Sequence, residues 1–154
     1  MKFIFLDIDG VLNNAKSRRE TFAPTILDDK NLKNLQTIVD NTGAKIILIS
    51  SHKDGWTGVG DKRQSEAAKY IDKKFADFNV KVFGKTETSG AFTRRGADVK
   101  EYLKENAAES FVVIDDSASD YAAEGLADNW VRPCGEDGGL TKALAKKAIK
   151  ILNG

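Results

Sequence analysis

Two aspartates lie one residue apart in the stretch FLDIDGVLN, which covers residues 5–13. Asp7 ends a short apolar run, Asp9 follows it, and Gly10 lets the chain turn so that both side chains can face one site. Neighbouring carboxylates raise each other's pKa unless a cation offsets their charge. A phosphate held by a hard divalent ion such as Mg²⁺ would explain the pair, because one aspartate can attack phosphorus while the other moves a proton.

More polar groups follow apolar runs later in the chain. Ser50 comes directly after KIILI, and the pair Asp115 and Asp116 comes directly after SFVVI. If these runs are parallel strands, their carboxyl ends lie at one edge of the sheet, where open α/β proteins bind ligands. The acids of two strands would then surround one Mg²⁺ ion, since this cation prefers oxygen ligands.

The elements that must position these groups follow from the hydrophobic pattern, in which apolar runs alternate with segments of helical periodicity. Strands connected by helices form a parallel sheet that is covered on both faces. We therefore expect an α/β fold, a Rossmann-like three-layer α/β/α sandwich around a mostly parallel five-stranded sheet, in a single domain over residues 1–154. The sequence predicts strands at Lys2–Leu6, Lys45–Ser50, Val80–Phe83, Ser110–Asp115 and within NWVRP, and helices at Leu27–Asn41, Ser65–Phe75, Gly96–Asn106 and from Thr141 to about Leu152.

Composition indicates a reducing compartment, and the balanced charges give the protein no strong overall electrostatic field. The 154 residues include 24 Lys and Arg against 23 Asp and Glu, a net charge of +1, so any attraction to nucleic acid must be local. The one cysteine, Cys134, cannot form an internal disulfide. The first apolar stretch is too short for a signal-peptide core. We expect a cytoplasmic protein with no membrane partner and no obligate protein partner.

Four motifs, in this order, resemble those of the haloacid dehalogenase (HAD) superfamily of phosphotransferases. They are DIDGV, the serine after IILI, a basic residue before a helix, and VVIDD followed by Asp120. The resemblance implies a Mg²⁺-dependent phosphatase that forms an aspartyl-phosphate. An acid at the position of Asp9 favours phosphoester chemistry over carbon–halogen chemistry. The connections leave no room for a cap domain, so we expect a small, uncapped type with an open site.

The resemblance also implies a role for each motif residue. Asp7 would be the nucleophile and a metal ligand. Asp9 would protonate the leaving group and later activate water, with its backbone carbonyl on the metal. Ser50 would bind a phosphoryl oxygen, and Asp116 would be the second carboxylate ligand of the metal.

The third motif has three candidates for its basic residue. Arg95 stands immediately before the predicted start of a helix and is favoured as the group that stabilises the transferring phosphoryl charge. Arg94 and Lys85 remain as alternatives. The resemblance places Asp115 beside the metal ligand, and Asp120 would orient the basic residue or a metal-bound water.

Two neighbours of the second motif are further candidates. Ser51 could replace Ser50 as the phosphoryl-binding serine if the preceding strand is one residue longer. His52 is the only histidine of the chain and could have a catalytic or substrate-binding role.

The substrate class is predicted from finer details of the sequence. DIDGVLN, ISSH, VFGKT, RRG and GGLT are similar to the HAD domains of RNA-repair proteins and to the phosphatase domain of phage polynucleotide kinase. This similarity implies a 3′-phosphate on a nucleic-acid end, or a nucleotide, as substrate. A small metabolite or a phosphoprotein is the alternative substrate, and a phosphotransferase or a non-catalytic phosphate-binding module is the alternative function.

Overall fold

The first strand of the chain lies at the centre of a five-stranded parallel sheet. The computed structural model describes residues 1–17, 26–88 and 94–154. β1 pairs with β2 on one side and with β4 on the other, with Leu6 opposite both Leu48 and Ile114. The residues that follow these three strands therefore meet at one edge of the sheet. The strands are β1 (Lys2–Leu6), β2 (Lys45–Leu48), β3 (Val82–Lys85), β4 (Ser110–Ile114) and β5 (Trp130–Val131), in the order β3-β2-β1-β4-β5.

Three of the helices begin where the sequence offers a capping side chain. Asp28, Ser65 and Thr141 each accept a hydrogen bond from a backbone N–H in the first turn of the helix that follows. The third helix is different, because the residue before it, Arg94, makes no side-chain cap. The α-helices whose two ends both lie within the described residues are α1 (Asp29–Thr42), α2 (Glu66–Asp77), α3 (Arg95–Glu105) and α4 (Lys142–Asn153).

Side chains of β1 pack alternately into two apolar layers. Ile4 and Leu6 belong to the layer formed with α1, α2 and α4. Phe3 and Phe5 belong to the opposite layer, formed with α3. Each of these four side chains is at most 1% exposed, and full burial of such a side chain contributes about 2 kcal/mol. Helices thus cover both faces of the sheet, which confirms the predicted three-layer α/β/α sandwich.

The third strand begins two residues later than predicted. Asn79 adopts a left-handed conformation with φ of 55°, and Val80 donates its N–H to the carbonyl of Phe75. Val80 therefore ends the turn after α2, and the strand begins at Val82. The side chain of Val80 is still buried in the core. A buried valine is typical both of a strand and of such a turn, so the sequence pattern places the strand start too early.

The prediction that no cap domain interrupts the chain concerns residues 13–33 above all. Of these, residues 18–25 lie outside the described residues, so for them it stays a prediction. Within the described ranges, no helix combines the length and the apolar character that crossing a membrane requires.

Candidate active site

The carboxyl ends of β1, β2 and β4 and the start of α3 surround one open cavity of about 460 Å³. The N–H of Asp7 donates to the carbonyl of Ile114, and the N–H of Ile49 donates to the carbonyl of Leu6. Sheet pairing thus continues past β1 and fixes the position of Asp7. The cavity is lined by residues of the predicted motifs and by serines: Asp7, Asp9, Ser51, Arg95, Asp116, Ser117 and Ser119.

A tight turn after β1 brings Asp9 to the same cavity. Gly10 has φ of +79°, a backbone conformation that residues with a Cβ rarely adopt. A Cβ here would also overlap the carboxylate of Asp116. The N–H of Gly10 donates to Oδ1 of Asn13 at 2.8 Å, and Nδ2 of Asn13 donates to Oδ1 of Asp9 at 3.0 Å. Asn13 therefore holds both the turn and the carboxylate.

The only histidine contacts the other oxygen of Asp9. A 3₁₀ turn at Ser51–Gly55 follows β2, and the hydroxyl of Ser50 caps it by accepting the N–H of His52 at 3.1 Å. From this turn, Nε2 of His52 lies 3.0 Å from Oδ2 of Asp9. Both oxygens of Asp9 are therefore engaged, while its side chain remains 42% exposed and can reach a substrate.

Two buried carboxylates share one guanidinium below the cavity. Nη1 of Arg95 lies 2.9 Å from Oδ2 of Asp115 and 3.4 Å from Oδ1 of Asp7. Asp115 also accepts the hydroxyl of Tyr121 and the N–H of Ser117. Burial and then the charge of Asp115 raise the pKa of Asp7 to about 9, although Arg95 opposes this shift. Without a further cation, burial and the charge of Asp115 therefore favour the protonated form of Asp7.

The same acids are suited to hold a metal ion. Asp7, Asp115 and Asp116 can each place a carboxylate oxygen within 4.8 Å of the other two. Asp115 already accepts hydrogen bonds from Arg95 and Tyr121, whereas Asp7 and Asp116 line the cavity. Burial and the neighbouring charge of Asp115 disfavour the ionised form of Asp7 and raise its pKa, and a bound cation would offset both effects. The hard oxygen donors of this cluster fit Mg²⁺.

Asp120 positions Arg95 through the backbone of α3. Its carboxylate accepts the N–H groups of Gly96 at 2.5 Å and Ala97 at 3.2 Å, while the N–H of Arg95 donates to the hydroxyl of Ser119. A carboxylate at this end of a helix satisfies unpaired amides and complements the helix dipole. The fourth motif thus fixes where the helix starts, and with it the site of the guanidinium.

The other two candidates for the third motif lie elsewhere. Arg94 is exposed and does not line the cavity. Lys85 donates its ammonium to the backbone carbonyls of Lys53 and Trp56, at 3.0 and 2.8 Å, and so holds the 3₁₀ turn against β3. Of the three, Arg95 is the residue that contacts Asp7, the predicted nucleophile.

The two serine candidates occupy different positions. Ser51 is exposed and lines the main cavity, whereas Ser50 is 2% exposed. Ser50 lines a second, smaller cavity of about 70 Å³, together with Lys53 and Asp98. Ser51 and Arg95 border both cavities. The phosphoryl-binding role of Ser50 stays a prediction, with Ser51 as its alternative.

Sequence reasoning did not identify Asn13 or Tyr121, and it did not predict that Lys53 is buried. Burial, with the charge of Asp115, raises the pKa of Tyr121, so its hydroxyl remains a proton donor. Burial lowers the pKa of Lys53, whose ammonium donates to Oγ1 of Thr86 at 2.9 Å. Asn13 lies two residues after DIDGV and Tyr121 directly follows Asp120, so nearness to these motifs was the available signal in the sequence. Lys53 resembled any lysine of a polar loop.

Comparison with known proteins agrees with this geometry. A family model described as the HAD domain in Swiss Army Knife RNA repair proteins matches residues 3–145, which include all four motifs. A search of curated proteins finds no match.

Proposed function

Because the chain belongs to the family of HAD domains found in Swiss Army Knife RNA repair proteins, we propose that it hydrolyses phosphomonoesters through an aspartyl-phosphate on Asp7. The observation that supports this proposal most is the pairing of Asp7 with Arg95 at the floor of a cavity that Asp9 also lines. This arrangement supplies a nucleophile, a positive charge beside it, and a second carboxylate for proton transfer.

In the first half of the reaction, a carboxylate oxygen of Asp7 attacks the phosphorus atom. The bond from that oxygen to phosphorus forms as the bond from phosphorus to the substrate oxygen breaks. Asp9, in its protonated form, gives its proton to the departing oxygen, so the product leaves as an alcohol. Asn13 and His52 hold the carboxyl group of Asp9 for this transfer.

In the second half, water attacks the phosphorus of the aspartyl-phosphate. Asp9 is now a carboxylate and takes a proton from that water. The bond between phosphorus and the Asp7 oxygen breaks, inorganic phosphate leaves, and both aspartates return to their starting states. Arg95 stabilises negative charge on the phosphoryl oxygens in both halves through charge-assisted hydrogen bonds.

A Mg²⁺ ion fits beside these residues. The carboxylates of Asp7 and Asp116 would hold it, together with the backbone carbonyl of Asp9. When bound, the ion offsets the charge of nucleophile and phosphate and so reduces their repulsion.

We propose the 3′-phosphate of a nucleic-acid end as the substrate. The family's printed description associates such domains with RNA repair, and the cavity opens at the edge of the sheet, where a phosphate protruding from a large molecule could enter. A nucleotide, a small metabolite or a phosphoprotein is the competing substrate, and the following experiment separates a nucleic-acid end from a small phosphomonoester.

The experiment measures phosphate release from a 3′-phosphorylated oligonucleotide, from the same oligonucleotide phosphorylated at its 5′ end, and from a small chromogenic phosphomonoester. Each is assayed with Mg²⁺ and with a chelator. Asp7→Asn tests the nucleophile, and Asp40→Asn, which removes an exposed carboxylate of α1, is the matched control. We expect Mg²⁺-dependent release from the 3′-phosphate that is lost in Asp7→Asn and kept in Asp40→Asn.

Two results would contradict parts of the proposal separately. Activity that survives in Asp7→Asn would contradict the aspartyl-phosphate mechanism. Release from the chromogenic ester without release from either oligonucleotide would keep the mechanism and reject the nucleic-acid substrate.

A further inference from the structure

Arg132 lies at the same edge of the sheet as the cavity. β5 pairs with β4 so that Val131 is opposite Ile114, and Arg132 therefore follows β5 where Asp115 and Asp116 follow β4. Nε of Arg132 donates to the backbone carbonyl of Asp116 at 3.0 Å. The guanidinium is thus held beside a residue that lines the active-site cavity.

An anchored aromatic ring supports this guanidinium. Cζ of Arg132 lies 5.5 Å from the centroid of the Trp130 ring, within the range of cation–π attraction. Trp130 in turn donates Nε1 to the backbone carbonyl of Asp115 at 3.0 Å and packs against the ring of Tyr121, with centroids 5.5 Å apart. The support of Arg132 is therefore tied to the buried part of the active site, and this restricts how far the arginine can move.

The outer part of the guanidinium is available for a ligand. Arg132 is exposed, and within the part of the chain that the structure describes, its Nη1 and Nη2 groups form no hydrogen bond. These groups form a planar fork that matches a phosphate in a bidentate manner. Because less side-chain freedom is lost when a positioned arginine binds, such a residue gives more affinity than a mobile surface arginine.

We propose that Arg132 binds the phosphodiester that precedes the terminal phosphate of a nucleic-acid strand. This inference rests on the phosphatase function proposed above. The terminal phosphate would lie in the cavity next to Asp116, and the preceding phosphodiester is the nearest other anion of such a substrate. A nucleoside 3′-phosphate and a small ester have no second anion, so Arg132 distinguishes a strand end from a mononucleotide.

The test compares Arg132→Ala with the unmodified protein on three substrates, each assayed in the presence of Mg²⁺. These are a 3′-phosphorylated oligonucleotide, a nucleoside 3′-phosphate and a chromogenic phosphomonoester. We expect the KM for the oligonucleotide to rise about 10-fold with little change in kcat, and the salt dependence of log kcat/KM to become shallower by about one unit. The two small substrates should be unaffected, and Arg132→Lys should give an intermediate KM because it keeps the charge without the fork.

A chemically matched substrate identifies the contact itself. Replacing the penultimate phosphodiester by an uncharged methylphosphonate should raise the KM of the unmodified protein by a similar factor and leave Arg132→Ala unchanged. Lys45→Ala is the control variant, because Lys45 also lies over an aromatic ring, at 4.8 Å from the centroid of Phe83, but at the opposite end of the strands. Thermal unfolding of each variant verifies that it is folded.

Each outcome decides the question. Equal losses on all three substrates would assign Arg132 a structural effect on Asp116 and overturn the proposal, as would no loss on any of them. If the unmodified protein hydrolyses the oligonucleotide and Arg132→Ala does so equally well, the Arg132 inference fails and the proposed function stands. If the unmodified protein hydrolyses only the chromogenic ester, the nucleic-acid substrate fails and the Arg132 inference fails with it.

Discussion

Replacing the proposed nucleophile should stabilise the protein in the absence of metal. Asp7→Asn keeps the shape of the side chain but removes a group whose pKa rises from 3.8 to about 9 on folding. An aspartate with a raised pKa must take up a proton when the chain folds at neutral pH, and an asparagine needs none. The substitution should therefore increase the free energy of unfolding while abolishing turnover.

The magnitude follows from the two pKa values. The unfolded value lies about three units below pH 7, and each unit corresponds to about 1.4 kcal/mol, so the gain is at most about 4 kcal/mol at pH 7. The folded state binds more protons than the unfolded state over this range, so the stability of the unmodified protein falls as pH rises from the unfolded pKa towards the folded one. The difference between the two proteins should accordingly widen by up to about 1.4 kcal/mol per pH unit.

Urea unfolding in the presence of a chelator, repeated between about pH 5 and pH 8, measures this difference. Asp40→Asn is again the control, because it removes an exposed carboxylate and should track the unmodified protein at every pH. Adding Mg²⁺ should stabilise the unmodified protein more than Asp7→Asn, since the ion binds the folded carboxylate. A difference that stays constant with pH, or an Asp7→Asn variant that is the less stable one at high pH, would refute the reasoning.

Three further substitutions test other contacts of the site. His52→Ala removes one of the partners of Asp9 and should lower turnover of an alkyl phosphate by about 10-fold or more. Turnover of a nitrophenyl phosphate should fall less, because a good leaving group needs less protonation, and equal losses would contradict a role through Asp9. Gly10→Ala should abolish Mg²⁺-dependent activity because its Cβ would overlap the carboxylate of Asp116. Gly43→Ala is the control: φ there is +68°, but an added Cβ would meet no atom of the described residues within 4 Å, so this variant should lose about 1 kcal/mol in urea unfolding and stay active. Tyr121→Phe removes a donor to a buried carboxylate and should lower the free energy of unfolding by about 1–3 kcal/mol, and an unchanged urea midpoint would show that this hydrogen bond gives no net stability.

The fold could be predicted because it depends on patterns that local sequence carries. Apolar runs such as KFIFL and SFVVI have the length and composition of buried strands, and a capping residue such as Thr141 marks a helix start. Parallel pairing then requires that the groups after β1 and β4 meet. For this reason the sequence alone predicts that Asp7 and Asp115 lie close together.

The contacts that support these groups could not be predicted in the same way. His52 reaches Asp9 across 43 residues, and this depends on the 3₁₀ turn and on side-chain rotamers that no hydrophobic period encodes. Lys53 is buried although its neighbours in sequence are polar, because Lys85 ties the turn to β3. Such contacts arise from tertiary packing, which a single sequence does not display residue by residue.

The central position of the first strand also has a consequence for refolding. One edge of β1 is paired once β2 has formed. Its other edge stays unpaired until β4 forms, where Lys2 pairs opposite Ser110. Closing so long a segment of chain is a non-local step, and folding rates fall as such contacts come to dominate. Asp7 and Asp115 meet only when that step is complete. In a refolding experiment, recovery of activity should therefore follow the slowest structural phase, while helical signal returns earlier.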